Sequence, residues 1–292
     1  MNLIGNLVYK NIQHNIMNKD DLMKKKVSLT NIVQTIKTGK LKIVKTDIRP
    51  HDFCIFSDNR LLVADYKDKY LATFDQDFNL IEKIDKINNQ TFEPFAISIS
   101  KSDNFYVLDW ERHCLIMTDL NFKFIKSVGS KGSSMDRFCY PFSVVCKDNN
   151  LFISDSDNKR VKLYTQDLEL VKIYDLDYMP YSMKISDQRM CIISTKEIFL
   201  YDLDEFVIIK RTKTEIYRIS DINSLIYGFE LMKKRLIIYD FQGSLLEEIK
   251  IDHFKELITS SKDFALLYFN GKLLIIFKDE TVIGCIPIDC KN

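Results

Sequence analysis

Four of the five prolines are almost evenly spaced, at Pro50, Pro94, Pro141 and Pro180, with steps of 44, 47 and 39 residues. Each opens an apolar run: HDFCIFS, FAISIS, FSVVCK and YSMKIS. A second run then ends in aspartate, LLVAD at Asp65, FYVLD at Asp109 and LFISD at Asp155. A third ends in an aromatic residue or threonine, at Phe74, Thr118, Tyr164, Tyr201, Tyr239 and Phe277. A fourth follows each time: LIEKI, FIKSV, LVKIY, FVIIK, LLEEI and TVIGC. A fixed period near 40 residues marks a repeat architecture, in which each unit buries its apolar face against its neighbours. Six units fit between residues 50 and 288.

The runs are short, rich in Phe, Tyr, Ile and Val, and bounded by Asp, Asn, Ser, Lys or Gly. Aromatic and β-branched residues suit a pleated, half-buried surface, and the joints SDNR, KDNN, SDQR and FNGK carry turn chemistry. Helical periodicity is nearly absent after residue 50. The pattern predicts an all-β fold, a six-bladed antiparallel β-propeller with four strands per blade over residues 36–292. The alternating stretch KLKIVKTDI, residues 40–48, suits a strand that closes the ring on the blade containing TVIGCIPI. Residues 1–35 read as a basic leader, helical at most over DDLMKKKVSLTNIVQTI.

Residues 129–167 have a Gly-rich approach, then Phe138, Pro141, Asp155, Asn158, Arg160 and Val161 in sequence. In those residues the unit resembles an NHL repeat. Residues 50–75 and 94–119 match more loosely, and from Pro180 onward only the spacing persists, with Ser194 and Gly228 near the Asp position. The resemblance implies a six-bladed NHL-type propeller similar to the C-terminal domain of TRIM ubiquitin ligases. It also implies a protein-binding scaffold that recognises substrates in ubiquitin-dependent turnover. The RING and B-box Cys/His clusters of those ligases do not occur in the sequence, so no ligase activity is expected of the chain alone. Some NHL propellers hold single-stranded RNA, which makes post-transcriptional RNA binding the alternative.

The net charge of +1 hides an asymmetry. Residues 1–49 carry ten cations against three acids, a surplus of seven, and the remainder carries 32 cations against 38 acids, a deficit of six. A mildly acidic body is not the footprint of a nucleic-acid-binding domain. Lys24, Lys25 and Lys26 read as a solvated cluster, with nuclear import as the sharper alternative. The N-terminal residues lack the pattern of a signal peptide, and no apolar stretch predicts a membrane span. The seven cysteines are odd in number, form no CxxC and mostly sit in apolar runs such as FCIF and MCII. They read as small core residues in a reducing, cytoplasmic compartment rather than as disulfides or a zinc site.

In antiparallel blades the connection into the first strand shares a face with the hairpin between the second and third. That face collects Arg49, His51 and residues 66–69, 91–93, 110–113, 137–140, 156–160 and 178–181. Its candidate partner-binding residues are Tyr66, Lys67, Trp110, Arg112, His113, Arg137, Tyr140, Lys159, Arg160 and Tyr181. Trp, Tyr and Arg anchor interfaces, and Trp110 is the single tryptophan. Solvated loops whose Asp and Asn residues cap their own backbone are the competing reading. The cations alternate with Asp65, Asp68, Glu93, Glu111, Asp136 and Asp157, which suits a protein better than a phosphate chain. Asp65, Asp109 and Asp155 read as turn-shaping residues rather than metal ligands, and DSDN lacks the glycine and glutamate of an EF-hand loop. A metal-dependent hydrolase or lyase is the third class, yet of the four histidines only His51 and His113 share the face. No nucleotide-binding or hydrolase fingerprint occurs. The expectation is therefore a protein partner, RNA second, no membrane, no catalytic residues and no metal or other cofactor.

Overall fold

The computed structural model describes residues 51–250, apart from positions 59, 67, 76–78, 196, 217–218, 223–224 and 231–234, and the backbone of four further strands. The leader 1–35, Lys24 to Lys26, Arg49 and Lys67 lie outside the described residues. Strand β1 is Lys42–Lys45. The first sheet comprises β2 (Asp52–Ile55), β3 (Leu61–Asp65), β4 (Tyr70–Phe74) and β5 (Leu80–Ile84). A hairpin of β6 (Lys86–Ile87) and β7 (Gln90–Thr91) leads to the second sheet. That sheet comprises β8 (Pro94–Ile99), β9 (Phe105–Asp109), β10 (Cys114–Thr118) and β11 (Phe124–Val128). The third comprises β12 (Pro141–Lys147), β13 (Asn150–Asp155), β14 (Arg160–Thr165) and β15 (Leu170–Asp175). The fourth comprises β16 (Met183–Ser186), β17 (Arg189–Ile193), β18 (Glu197–Asp202) and β19 (Val207–Lys213). The fifth comprises β20 (Ile219–Ile222), β21 (Leu225–Glu230), β22 (Arg235–Asp240) and β23 (Leu245–Lys250). The last joins β24 (Phe264–Phe269), β25 (Lys272–Phe277) and β26 (Val282–Pro287) to β1.

First strands of successive sheets lie side by side, β2 with β8, then β12, β16, β20 and β24. The architecture is an antiparallel β-propeller of four-stranded sheets. Against the six blades expected from the rhythm stand six four-stranded sheets among the described residues, of which five are distinguished as blades. Strand β1 pairs with β26, Lys42 opposite Cys285 and Lys45 opposite Val282, the pairing suggested by the alternation of KLKIVKTDI.

The core explains why the second and third runs are continuously apolar. Strands β3, β4, β9 and β10 are buried at every position. Successive side chains of a strand point to opposite faces, and each face of an inner blade meets another blade. Phe105 and Val107 pack against Phe56, Leu62 and Leu71 of the first sheet. Tyr106 and Leu108, on the opposite face, pack against Val144, Leu151 and Ile153 of the third. A strand covered on both sides needs an unbroken apolar run. The innermost strands hold Phe53, Ile55, Ile97, Ile99, Val144, Met183 and Ile185, as the rhythm predicts, although Phe53, Ile55 and Ile99 are only half-buried.

Polar side chains join neighbouring innermost strands. The Ile97 amide donates to Asp52 Oδ2 at 2.8 Å, the Cys146 amide to Ser98 Oγ at 3.0 Å and the Met183 amide to Ser143 Oγ at 3.2 Å. The outer edge is defended. In the first five sheets the pairing of third and fourth strands shifts by one residue beside Phe74, Thr118, Tyr164, Tyr201 and Tyr239. The residues left over, Ile81, Ile125, Val171, Ile209 and Leu246, are exposed aliphatics. Bulges twist an edge strand away from a straight template, a recognised protection against edge-to-edge pairing.

Candidate functional site

Three hairpins on the predicted face share one design. Each begins at a fully buried aspartate, Asp65, Asp109 or Asp155, paired across the hairpin with Tyr70, Cys114 or Arg160. The residue before the third strand has positive φ: Lys69 at 61°, His113 at 52° and Lys159 at 51°. The aspartate shapes the turn by accepting amide hydrogens, from Asp68 in the first hairpin and from Glu111 and Arg112 in the second. Asp109 also accepts from the Glu93 amide, tying the incoming connection to the hairpin. Among the described residues Asp109 Oδ2 accepts no hydrogen bond, with Arg112 Nε 3.6 Å away, and burial raises the pKa of this carboxyl.

The third hairpin completes the network. Asp155 accepts from the Cys139 amide at 2.7 Å, from Asn158 Nδ2 at 2.9 and 3.0 Å and from Arg160 Nε at 2.7 Å. Lys162 Nζ lies 3.5 Å from the same carboxylate. Both cations also donate into the loop before Phe138, Arg160 to the carbonyls of Ser134 and Arg137, Lys162 to those of Met135 and Arg137. This corrects the expectation for Arg160: it is only 8% exposed and its donors are spent inside the blade, so it holds the rim in place. The acid–arginine pair recurs later in the chain. In the fifth sheet Glu230 pairs with Arg235 at 2.6 Å and accepts the Glu215 amide, the same five-residue step as Asp155 to Arg160. Gly228 is therefore not the matching position, and the signal was an acid five residues before Arg. In the fourth sheet Ile193, facing Ile198, takes that place.

Above these hairpins aromatic rings from four sheets converge. Trp110 stacks on Phe95 at 4.1 Å and 20°. Phe95 also meets His51 at 3.7 Å and Tyr66 at 5.6 Å. Trp110 meets Tyr140 and Phe142, each at 5.0 Å, and Phe142 meets Tyr181 at 4.9 Å. Tyr66, Trp110, Tyr140, Phe142 and Tyr181 are half-buried, so part of each remains accessible. The structure thus gathers four of the predicted residues, Tyr66, Trp110, Tyr140 and Tyr181, into one arc and adds Phe95 and Phe142. The added residues follow Pro94 and Pro141 directly, a signal present in the sequence. Arg137 and Lys159 are exposed at the third-sheet end. Arg112 donates to the Thr91 carbonyl.

His113 belongs to the framework. It is 3% exposed, and its Nδ1 accepts the Tyr140 amide at 2.9 Å, which requires the neutral ring. Burial, reinforced by Lys131, lowers its pKa. His51 is equally buried and its Nδ1–H donates to the Phe95 carbonyl at 2.5 Å. Among the described residues no three His, Cys, Asp or Glu side chains are grouped to hold a metal ion.

Solved structures similar in fold include a streptogramin B lyase, with TM-score 0.62 and 12% identity over 86% of this chain and 98% of that one. A catalytically inactive histidine-to-alanine virginiamycin B lyase from Staphylococcus aureus, with quinupristin, gives 0.60 and 11% over 85% and 99%. The hydrazine synthase of Kuenenia stuttgartiensis gives 0.56 and 14% over 80% and 75%. The shared property is the propeller. No family model and no curated protein matches the sequence. No helix among the described residues is long and apolar enough to cross a membrane, and Cys54, Cys114, Cys139, Cys146 and Cys191 are free thiols.

The depressed His113 pKa gives a signed expectation. The unfolded chain binds this proton more readily, so the stability tied to the neutral ring is present above about pH 6.5 and is lost as pH falls through the lower folded value. His113→Asn keeps a residue tolerant of positive φ. Chemical denaturation at pH 7 and pH 5 is expected to show a smaller acid loss in this variant than in the parent; equal losses would remove His113 as a contributor.

Proposed function

We propose that the chain is a protein-binding scaffold whose aromatic arc is the recognition surface, on a six-bladed, NHL-like propeller that selects substrates for ubiquitin-dependent turnover in the cytoplasm. The observation that carries the binding role is the run of half-buried rings from four sheets, Tyr66, Trp110, Tyr140, Phe142 and Tyr181. Partly exposed aromatics in a packed cluster are the usual anchors of an interface. The count of six is supported by β24 lying beside β20 and by β1 completing that last sheet. The NHL likeness is supported by the joint engagement of Asp155 by Asn158 and Arg160.

The test is panning of a displayed random-peptide library on the full chain. Enriched peptides are expected to lose about 2 kcal/mol or more of affinity with Trp110→Ala, a hot-spot magnitude. Trp110 is packed as well as exposed, so the same variant is expected to cost about 1 kcal/mol of stability, and Tyr181→Ala provides a second reading of the arc. Arg160→Ala is expected to act on stability, because its side chain is buried beside Asp155. Single-stranded RNA is expected to bind with a Kd of only about 10⁻⁴–10⁻⁶ M at physiological salt. Sub-micromolar RNA binding with no enriched peptides would reverse the assignment.

A further inference from the structure

We infer that the ligand of the rim is a proline-rich segment in polyproline II conformation, with an acidic residue beside Tyr140; this rests on the protein-binding reading above. Steps of 5.6, 5.0 and 4.9 Å lead from Tyr66 through Phe95 and Phe142 to Tyr181. The path is at most about 16 Å long, which matches about five residues of polyproline II at roughly 3.1 Å each. Such segments dock on aromatic-lined surfaces because they are already extended, losing little conformational freedom on binding. Their carbonyls have no internal hydrogen bonds and seek donors. Two donors stand in the arc: the Trp110 indole N–H and the Tyr140 hydroxyl make no hydrogen bond among the described residues. The Tyr181 hydroxyl is already turned to Met179 Sδ at 3.4 Å.

Charge places the acidic residue. Around Tyr140, the exposed Lys131, Arg137 and Lys159 have no ion-pair partner among the described residues, and Lys131 Nζ lies 5.2 Å over the Tyr140 ring. Asp136 and Asp157 are the exposed acids among them, three cations against two acids, and Asp136 accepts from the Ser134 hydroxyl at 2.6 Å. At the other end Lys69 is paired with Glu93 and Glu111. Among the described residues, the rim cations without an ion-pair partner thus include a group around the third sheet, beside Tyr140.

Trp110 is the single tryptophan, so its emission reports directly on occupancy. The full chain is titrated with a peptide of six prolines followed by two glutamates, with a Gly–Ser peptide carrying the same glutamates, and with oligouridylate. The expected result is a saturable change with the proline peptide, at least about tenfold tighter than with the Gly–Ser peptide. Tyr140→Phe keeps the ring and is expected to weaken the proline peptide about fivefold, near 1 kcal/mol, by loss of one hydrogen bond. Equal affinity for both peptides overturns the inference. So does no response to the proline peptide while library-derived peptides without proline bind at Trp110, a result that leaves the protein-binding reading standing. Tighter saturation by oligouridylate, with no peptide binding from any source, overturns both.

Discussion

Asp155→Ala is expected to lower the free energy of unfolding by about 3–5 kcal/mol, the cost of removing one partner from a buried ion pair. The carboxylate is fully buried and faces two cations, Arg160 Nε at 2.7 Å and Lys162 Nζ at 3.5 Å, neither of which can move into water without unpacking the blade. Burial already lowers the Lys162 pKa to about 8, and Asp155 is the charge that opposes this. Without the carboxylate, Arg160 is left with backbone carbonyls, and Lys162 with carbonyls and the face of the Phe138 ring. Asp109→Ala is the contrast. Among the described residues Asp109 Oδ2 receives no hydrogen bond and no buried cation faces it, while Oδ1 accepts three amides, so a loss of about 1–2 kcal/mol is expected. Urea denaturation of the two variants compares them, and an Asp155 loss no larger than the Asp109 loss would show that the third-sheet network adds nothing to stability.

Phe138→Ala is expected to cost about 3–5 kcal/mol, as for a large aromatic removed from a closed core. Phe138 is fully buried between the second and third sheets, with Lys162 Nζ 4.2 Å from its ring centre. The backbone of Gly129 packs directly on the ring: a Cβ there would stand 2.3 Å from Phe138, and φ is +94°. Glycine is required at this position by both space and conformation, so the surroundings cannot easily collapse into the vacated volume. A thermal midpoint about 10 °C lower is expected; a shift of 2 °C or less would mean that the loop refills the space.

The order of strands was readable because every blade repeats the same physical problem. Middle strands covered on both faces give unbroken apolar runs, and outer strands give mixed ones, so Leu61–Asp65 and Leu80–Ile84 already differ in sequence. Asp65, Asp109 and Asp155 were readable as turn builders because their spacing follows the period. What escaped was where individual side chains turn. Arg160 lies in a loop-like stretch, DSDNKR, and nothing local tells that its guanidinium turns inward to Asp155 and the Ser134 carbonyl. His113 likewise reads as a rim residue, yet its ring is taken up by the Tyr140 amide of the next repeat. Phe95 and Phe142 read as ordinary strand starts, and only the stacking of Trp110 on Phe95 reveals them as part of the arc. Acid and arginine stand five residues apart in the fifth sheet as well, but there Glu230 takes the place of aspartate and breaks the repeat of the residue type.

The pairing of β1 with β26 sets a condition on synthesis. Three strands of the last sheet come from the end of the described chain and one from its beginning, so Lys42–Lys45 waits while more than two hundred residues are translated. Domains fold as units during synthesis at roughly 5–20 residues per second, so that wait is tens of seconds at the slower rates. A transcript truncated before Val282 yields a protein whose early sheets can form but whose first strand has nothing to pair with. In such a product Lys42–Lys45, the outermost strand of its sheet, loses the one strand it pairs with among the described residues, so the last sheet is left without its outer member.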